Sequence, residues 1–197
     1  MAFLLLEFKT MVTARHFQKD LRFFHFNSGL SDRIWRTTEA GLRWRIFCQA
    51  LSEIQYKTDF AAHAFVLMGT HFHILFSTRS PKGAALADEF HQNLSQLCGG
   101  QGDALEIPLF CHTILSAKYY RNAYKYVYRN PVEAGLCRKV QEFEYSSLKG
   151  LLGRRCESAP VIDNIGLIYA PAKVLEWLNT PFAETEEGWV SRERGAD

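Results

Sequence analysis

His71-Phe72-His73-Ile74-Leu75-Phe76 lies between Gly69-Thr70 upstream and Ser77-Thr78-Arg79-Ser80-Pro81 downstream. Aromatic and branched residues between turn formers predict a β-strand, in which side chains two apart share a face. His71 and His73 therefore project together, and Phe72, Ile74 and Phe76 point the other way. Two neutral imidazoles side by side form half of a divalent metal site. The spacing alone leaves packing and ligation both open.

Working outward, Leu4 to Val12 reads as a first strand. A basic, aromatic stretch follows, with Arg15, His16, Lys19, Arg22, Phe23, Phe24, His25 and Phe26. From about Thr37 to Gln55, Leu42, Ile46, Phe47, Leu51 and Ile54 recur at helical spacing around Arg43, Arg45 and Glu53. Phe60 to Met68 is an apolar run that predicts a second strand, and Gly69-Thr70 turns into the histidine strand. Ala84 to Leu97 reads as a helix ending at Gly99-Gly100. Leu105 to Leu115 reads as a fourth strand. Tyr119 to Asn130 is helical in period, with Pro131 as its C-terminal limit. The order strand, helix, strand, strand, helix, strand predicts an α+β fold with a ferredoxin-like βαββαβ core and an antiparallel sheet. A further helix after the fourth strand adds to that core.

At 197 residues the chain suits one domain plus an appendage. The expected division is one main domain over residues 1–150 and an acidic, partly irregular extension over 151–197 with one short helix near Val174 to Leu178. Hydrophobic residues make up 47% and charged residues 22%, which excludes a disordered chain. Glu7 and Lys9 interrupt the apolar start, so neither an export signal nor a membrane span is expected. Cys48, Cys98, Cys111, Cys137 and Cys156 are odd in number and lack a Cys-x-x-Cys pair. That pattern fits a cytoplasmic protein and argues against a disulfide scaffold or a thiolate zinc site. Residues 1–155 carry 20 Lys+Arg against 13 Asp+Glu, and residues 156–197 carry 3 against 8. A basic body suits a polyanionic partner, although such a balance is common.

The helix from Tyr119 offers the second half of a site. Tyr126 and Asn130 are four apart and share a helical face. An amide oxygen beside two imidazoles suits Mg²⁺ or Mn²⁺ better than a closed zinc site. A phenol there, with an ordinary pKa of about 10, is a candidate nucleophile for phosphodiester cleavage once its phenolate is favoured. Tyr119, Tyr120, Tyr124 and Tyr128 occupy the same helix, and amphipathic packing explains most of such a group equally well.

Three motifs carry a resemblance. The segment His63-Ala64-Phe65-Val66-Leu67-Met68-Gly69-Thr70-His71-Phe72-His73-Ile74-Leu75 resembles the histidine signature of the HUH-type single-tyrosine transposases. Tyr126-Val127-Tyr128-Arg129-Asn130-Pro131-Val132-Glu133-Ala134-Gly135-Leu136 is similar to their catalytic helix. Phe143-Glu144-Tyr145-Ser146-Ser147 through Gly153 is similar to a third block. Together they cover roughly residues 10–155, and the chain looks most like the REP-associated tyrosine transposases. The resemblance implies His71, His73 and Asn130 as metal ligands, Mg²⁺ or Mn²⁺ as cofactor, and Tyr126 as nucleophile. It implies an endonuclease and strand transferase of DNA transposition that acts on single-stranded DNA beside hairpins. By analogy Arg15, Lys19, Arg22, Arg43 and Arg45 are candidates for phosphate contacts, and the aromatics from Phe23 to Phe26 for stacking on bases. Monomer and homodimer both occur among such proteins. Gly69-Thr70 stands where the family carries Pro-Asn, and Phe110-Cys111-His112-Thr113 where relatives carry a basic segment. The alternative reading is a domesticated hairpin or single-strand DNA-binding protein without cleavage activity; a zinc-stabilised protein with no nucleic-acid role is a remote third.

Overall fold

The computed structural model describes residues 20–31, 35, 38–100, 104–105, 109–155 and 159–182. Its core elements are β1 (Arg22–Gly29), α1 (Ala40–Lys57), β2 (Ala61–Leu67), β3 (His71–Thr78), α2 (Gly83–Leu97) and β4 (Phe110–Ile114), in the expected βαββαβ order. The four strands form one antiparallel sheet in the order β2-β3-β1-β4. α3 (Ala117–Glu133) follows, then a 3₁₀ turn (Val140–Glu142), α4 (Leu148–Leu151) and α5 (Pro171–Asn179).

The expected strand at Leu4 to Val12 lies outside the described residues. The first described strand is instead Arg22–Gly29, within the stretch read as basic and aromatic. It is central in the sheet and covered on both faces, so Phe23 and Phe24 are both buried and no polar–apolar alternation marks it. Phe23, Phe24 and Phe26 are core residues, which removes them as a base-stacking surface.

Strand alternation divides the apolar residues into two layers. Phe24, Phe26, Phe72, Ile74 and Phe76 face α1 and α2, where Trp44, Phe47, Leu51, Phe90 and Leu94 complete one core. Phe47 touches Phe65, Phe72 and Phe90 at ring-centroid distances of 5.2–6.1 Å. Each such aromatic contributes about 1.5–3 kcal/mol through burial. Leu42, expected on the apolar face of α1, is exposed, and Trp44 takes the core position. The second layer holds Phe23, Val66, Leu75 and Ile114 under the tyrosines of α3.

Pro131 does not end α3, which runs on to Glu133. A proline near a helix end removes one intrahelical donor, here the one that would reach Val127, and the last turn survives that loss. The stop is Gly135, with φ +71°. Leu136 N–H donates to Pro131 O at 2.9 Å and Gly135 N–H to Val132 O at 3.0 Å, the paired bonds of a Schellman cap.

Residues 159–182 pack onto this body. Ile162 N–H bonds Ala62 O, and Ile165, Leu167, Val174 and Leu178 are buried beneath α3. Arg129 donates to the carbonyls of Leu178 and Asn179 and pairs with Glu133. No described helix is long and apolar enough to cross a membrane.

Candidate active site

Three elements bring the site together. β3 presents His71 and His73 on the face beneath α3, and β1 places His25 on the same face. α3 lays Tyr126 and Asn130 over them. Ser116 caps the start of α3 by accepting from Tyr119 N–H at 3.1 Å. The segment after α3 fixes its height above the sheet. Ser147 N–H donates to Phe65 O, Phe65 N–H donates to Ser147 Oγ, and Ser147 Oγ shares a 2.9 Å hydrogen bond with Tyr128 Oη.

The Asn130 carboxamide bridges the two histidines. Its Oδ1 lies 3.3 Å from His71 Nε2 and its Nδ2 lies 2.8 Å from His73 Nε2. Thr70 Oγ1 is 3.1 Å from His71 Nδ1, and His25 Nε2 is 3.2 Å from His73 Nδ1. The Tyr126 ring stands edge-on to His73 and His25, with centroids 5.2 Å and 5.9 Å away. His73 is almost wholly buried. Burial, then the charges of His25 and His71, hold its pKa well below the ordinary imidazole value, so it presents a neutral ring.

The other tyrosines of α3 have different surroundings. Tyr120, Tyr124 and Tyr128 are buried in the layer beneath and beside the helix, and burial pushes each phenol's pKa upward. Tyr126 is the tyrosine of α3 whose ring meets His73 and His25.

The donor set fits a hard cation. Among the described residues no three His, Cys, Asp or Glu side chains cluster as a metal site, so a cation beside His71 and His73 would draw its third donor from the Asn130 amide oxygen. Adjacent donors around a cation with bonds of about 2.1 Å stand about 3 Å apart. Asn130 Oδ1 and His71 Nε2, 3.3 Å apart, have close to that spacing, and the 2.8 Å contact with His73 Nε2 is a hydrogen bond from the amide nitrogen.

The basic candidates separate. Arg15 and Lys19 lie outside the described residues. Arg22 pairs with Thr78 and Gly29 with His71, so Arg22 is at the opposite end of β1 from the histidines. Arg43 reaches the turn before His71, its Nη1 3.4 Å from Gly69 O. Arg45 is on the exposed face of α1. Sequence reading missed His25; its signal was the two-residue spacing of Phe23, His25 and Asn27 within one strand.

No family model matches the chain, and no curated protein does. Among solved structures it is similar to a REP-associated tyrosine transposase bound to a REP hairpin. The match has a TM-score of 0.58 at 19% identity and covers 73% of this chain and 87% of that one. The chain thus has the fold of that transposase: a four-stranded antiparallel sheet with helices packed on both faces.

Proposed function

We propose that the protein is a metal-dependent single-strand DNA endonuclease and strand transferase that uses Tyr126 as its nucleophile. The observation that supports this reading best is the meeting of Tyr126 and Asn130 from α3 with His71 and His73 from β3. The solved transposase of the same fold was captured on a hairpin, which favours hairpin-bearing DNA as the substrate.

His71 and His73 through Nε2, and Asn130 through Oδ1, would hold the cation. When bound, Mg²⁺ or Mn²⁺ polarises a phosphate and neutralises charge developing on it. Tyr126 supplies the attacking oxygen. Its bond to phosphorus forms as the bond from phosphorus to the 3′ oxygen breaks. The phenol proton goes to solvent, and the departing 3′ oxygen takes one up. The 5′ phosphate is left esterified to Tyr126, so attack by a 3′ hydroxyl reverses the step and rejoins strands.

The test uses the full chain with a 3′-end-labelled hairpin oligonucleotide carrying the flanking repeats, with and without Mn²⁺. A labelled covalent adduct is expected with the wild type and lost with Tyr126→Phe, while hairpin binding persists. An adduct that survives in the Phe variant assigns the nucleophile elsewhere. Binding without an adduct in either protein supports a DNA-binding protein that does not cut.

A further inference from the structure

His25 has no place in the ligand set or in the attack, yet it is fully buried on β1 beneath Tyr126. A buried imidazole costs desolvation that a leucine of similar volume would avoid, so its polar atoms need partners. One of them has a well-defined one: Nε2 stands 3.2 Å from His73 Nδ1. The rings are inclined by only 18° with centroids 5.2 Å apart. We infer that His25 is a positioning residue, which accepts the Nδ1 proton of His73 in a hydrogen bond and thereby keeps the His73 Nε2 lone pair directed at Asn130 and the cation position. The inference rests on the cation reading above.

The reasoning turns on tautomers. A neutral imidazole carries one N–H, and the partner of one nitrogen decides which nitrogen is left as acceptor or ligand. With the proton on Nδ1, His73 donates to His25, and its Nε2 accepts from Asn130 Nδ2 at 2.8 Å. Both ring nitrogens of His73 then have compatible partners. With the proton on Nε2, that N–H would face the Asn130 amide N–H, and the nitrogen needed for ligation would be blocked. His25 also limits rotation of the His73 ring, since ring and partner are held by neighbouring strands of one sheet. Groups that orient a metal-binding histidine in this way are typically worth 10- to 100-fold in metal affinity. Carboxylates and backbone carbonyls usually serve this purpose; here a second imidazole does, on a strand adjacent to β3.

The experiment has two readouts. Imidazole ¹⁵N–¹H correlation spectra of the metal-free full chain report the tautomer of His73 directly; Nδ1–H is expected. Titration calorimetry with Mn²⁺ alone is then run on the wild type, His25→Leu, His25→Gln and His71→Ala. His25→Leu is expected to weaken Mn²⁺ binding 10- to 100-fold. His25→Gln, whose Oε1 accepts the same hydrogen bond, should stay within threefold of the wild type. A wild-type His73 protonated on Nε2 overturns the inference, and this measurement does not depend on any variant folding. Equal losses in the Leu and Gln variants overturn it too. If His71→Ala abolishes Mn²⁺ uptake and His25→Leu leaves it intact, His25 has no positioning role and the cation reading stands. If the wild type takes up no Mn²⁺, the cation reading fails and the purpose assigned to His25 fails with it.

Discussion

Asn130 Nδ2 and His73 Nε2 stand 2.8 Å apart, joining a helix to the strand beneath it across 57 residues of chain. The same amide reaches His71 Nε2 at 3.3 Å. One short polar side chain therefore spans from the element carrying Tyr126 to both imidazoles. Within one chain, β3 brings the paired imidazoles and α3 brings Tyr126 and the amide to the same place.

Removing that amide should separate ligation from the fold. Asn130→Ala is expected to lower Mn²⁺ affinity at least tenfold by calorimetry, because two neutral nitrogens alone hold a hard cation poorly. Asn130→Asp supplies a charged oxygen in nearly the same place and should bind as tightly as the wild type or more so. An alanine variant with unchanged affinity would take Asn130 out of the ligand set.

The buried state of His73 predicts how stability depends on pH. Its folded pKa is the depressed one, so as pH falls the unfolded chain takes up the proton first. Stability from this residue is present above about pH 7 and is lost below about 6.5, with a limiting slope of about 1.4 kcal/mol per pH unit. Replacing His73 with Gln deletes the titration. Urea unfolding of both proteins at pH 7.5 and 5.5 should show the wild type's advantage shrinking by about 1 kcal/mol at the lower pH. A gap that stays constant would mean that His73 takes up its proton as readily folded as unfolded.

Much of this was legible from residue order because it depends on local periodicity. The alternation of His71 and His73 with Phe72, Ile74 and Phe76 fixed which face each would take, and the sheet places them so. The four-residue step from Tyr126 to Asn130 likewise put both over that face. What escaped has physical causes. β1 is buried on both sides, so its sequence shows consecutive phenylalanines in place of alternation. The two-residue spacing of His25 with Phe23 and Asn27 gives its face, but its place beside His73 follows from a strand pairing that no local pattern encodes. Pro131 looked like a stop, whereas the helix ended where Gly135 could take a positive φ.

Ser147 is the clasp between sheet and α3, and its loss should be felt in stability. The hydroxyl serves Phe65 N–H and the Tyr128 phenol, all in buried surroundings. Ser147→Ala strands the Phe65 N–H and removes one of the Tyr128 phenol's partners, and is expected to cost about 2–3 kcal/mol. Tyr128→Phe leaves Ser147 Oγ bonded to the backbone and should cost about 1 kcal/mol. The double variant should lose less than the two single losses added together, since the second change removes a hydroxyl that has already lost this bond. Strict additivity in denaturant melts would show that the hydroxyl pair carries no coupling.

On the opposite face of the sheet, Gly83 tests how firmly the aromatic layer is packed. It is the first residue of α2, and a Cβ there would sit 2.4 Å from Phe24 Cε1 and 2.5 Å from Cζ. Phe24 has little room to retreat, because it stacks on Phe76 at 5.2 Å and Phe76 stacks on Phe60 at 4.4 Å. Two effects of Gly83→Ala oppose each other. Helix propensity favours alanine by up to about 1 kcal/mol. Overpacking a rigid core costs about 1–3 kcal/mol. With rings stacked three deep behind the contact, the steric cost should prevail, leaving a net loss of about 1–2 kcal/mol and a Tm lower by about 2–6 °C. Mn²⁺ affinity should not change, because the histidines point to the other side of the sheet. A Gly83→Ala protein that melts at or above the wild-type temperature would show that Phe24 yields to a methyl group at no cost.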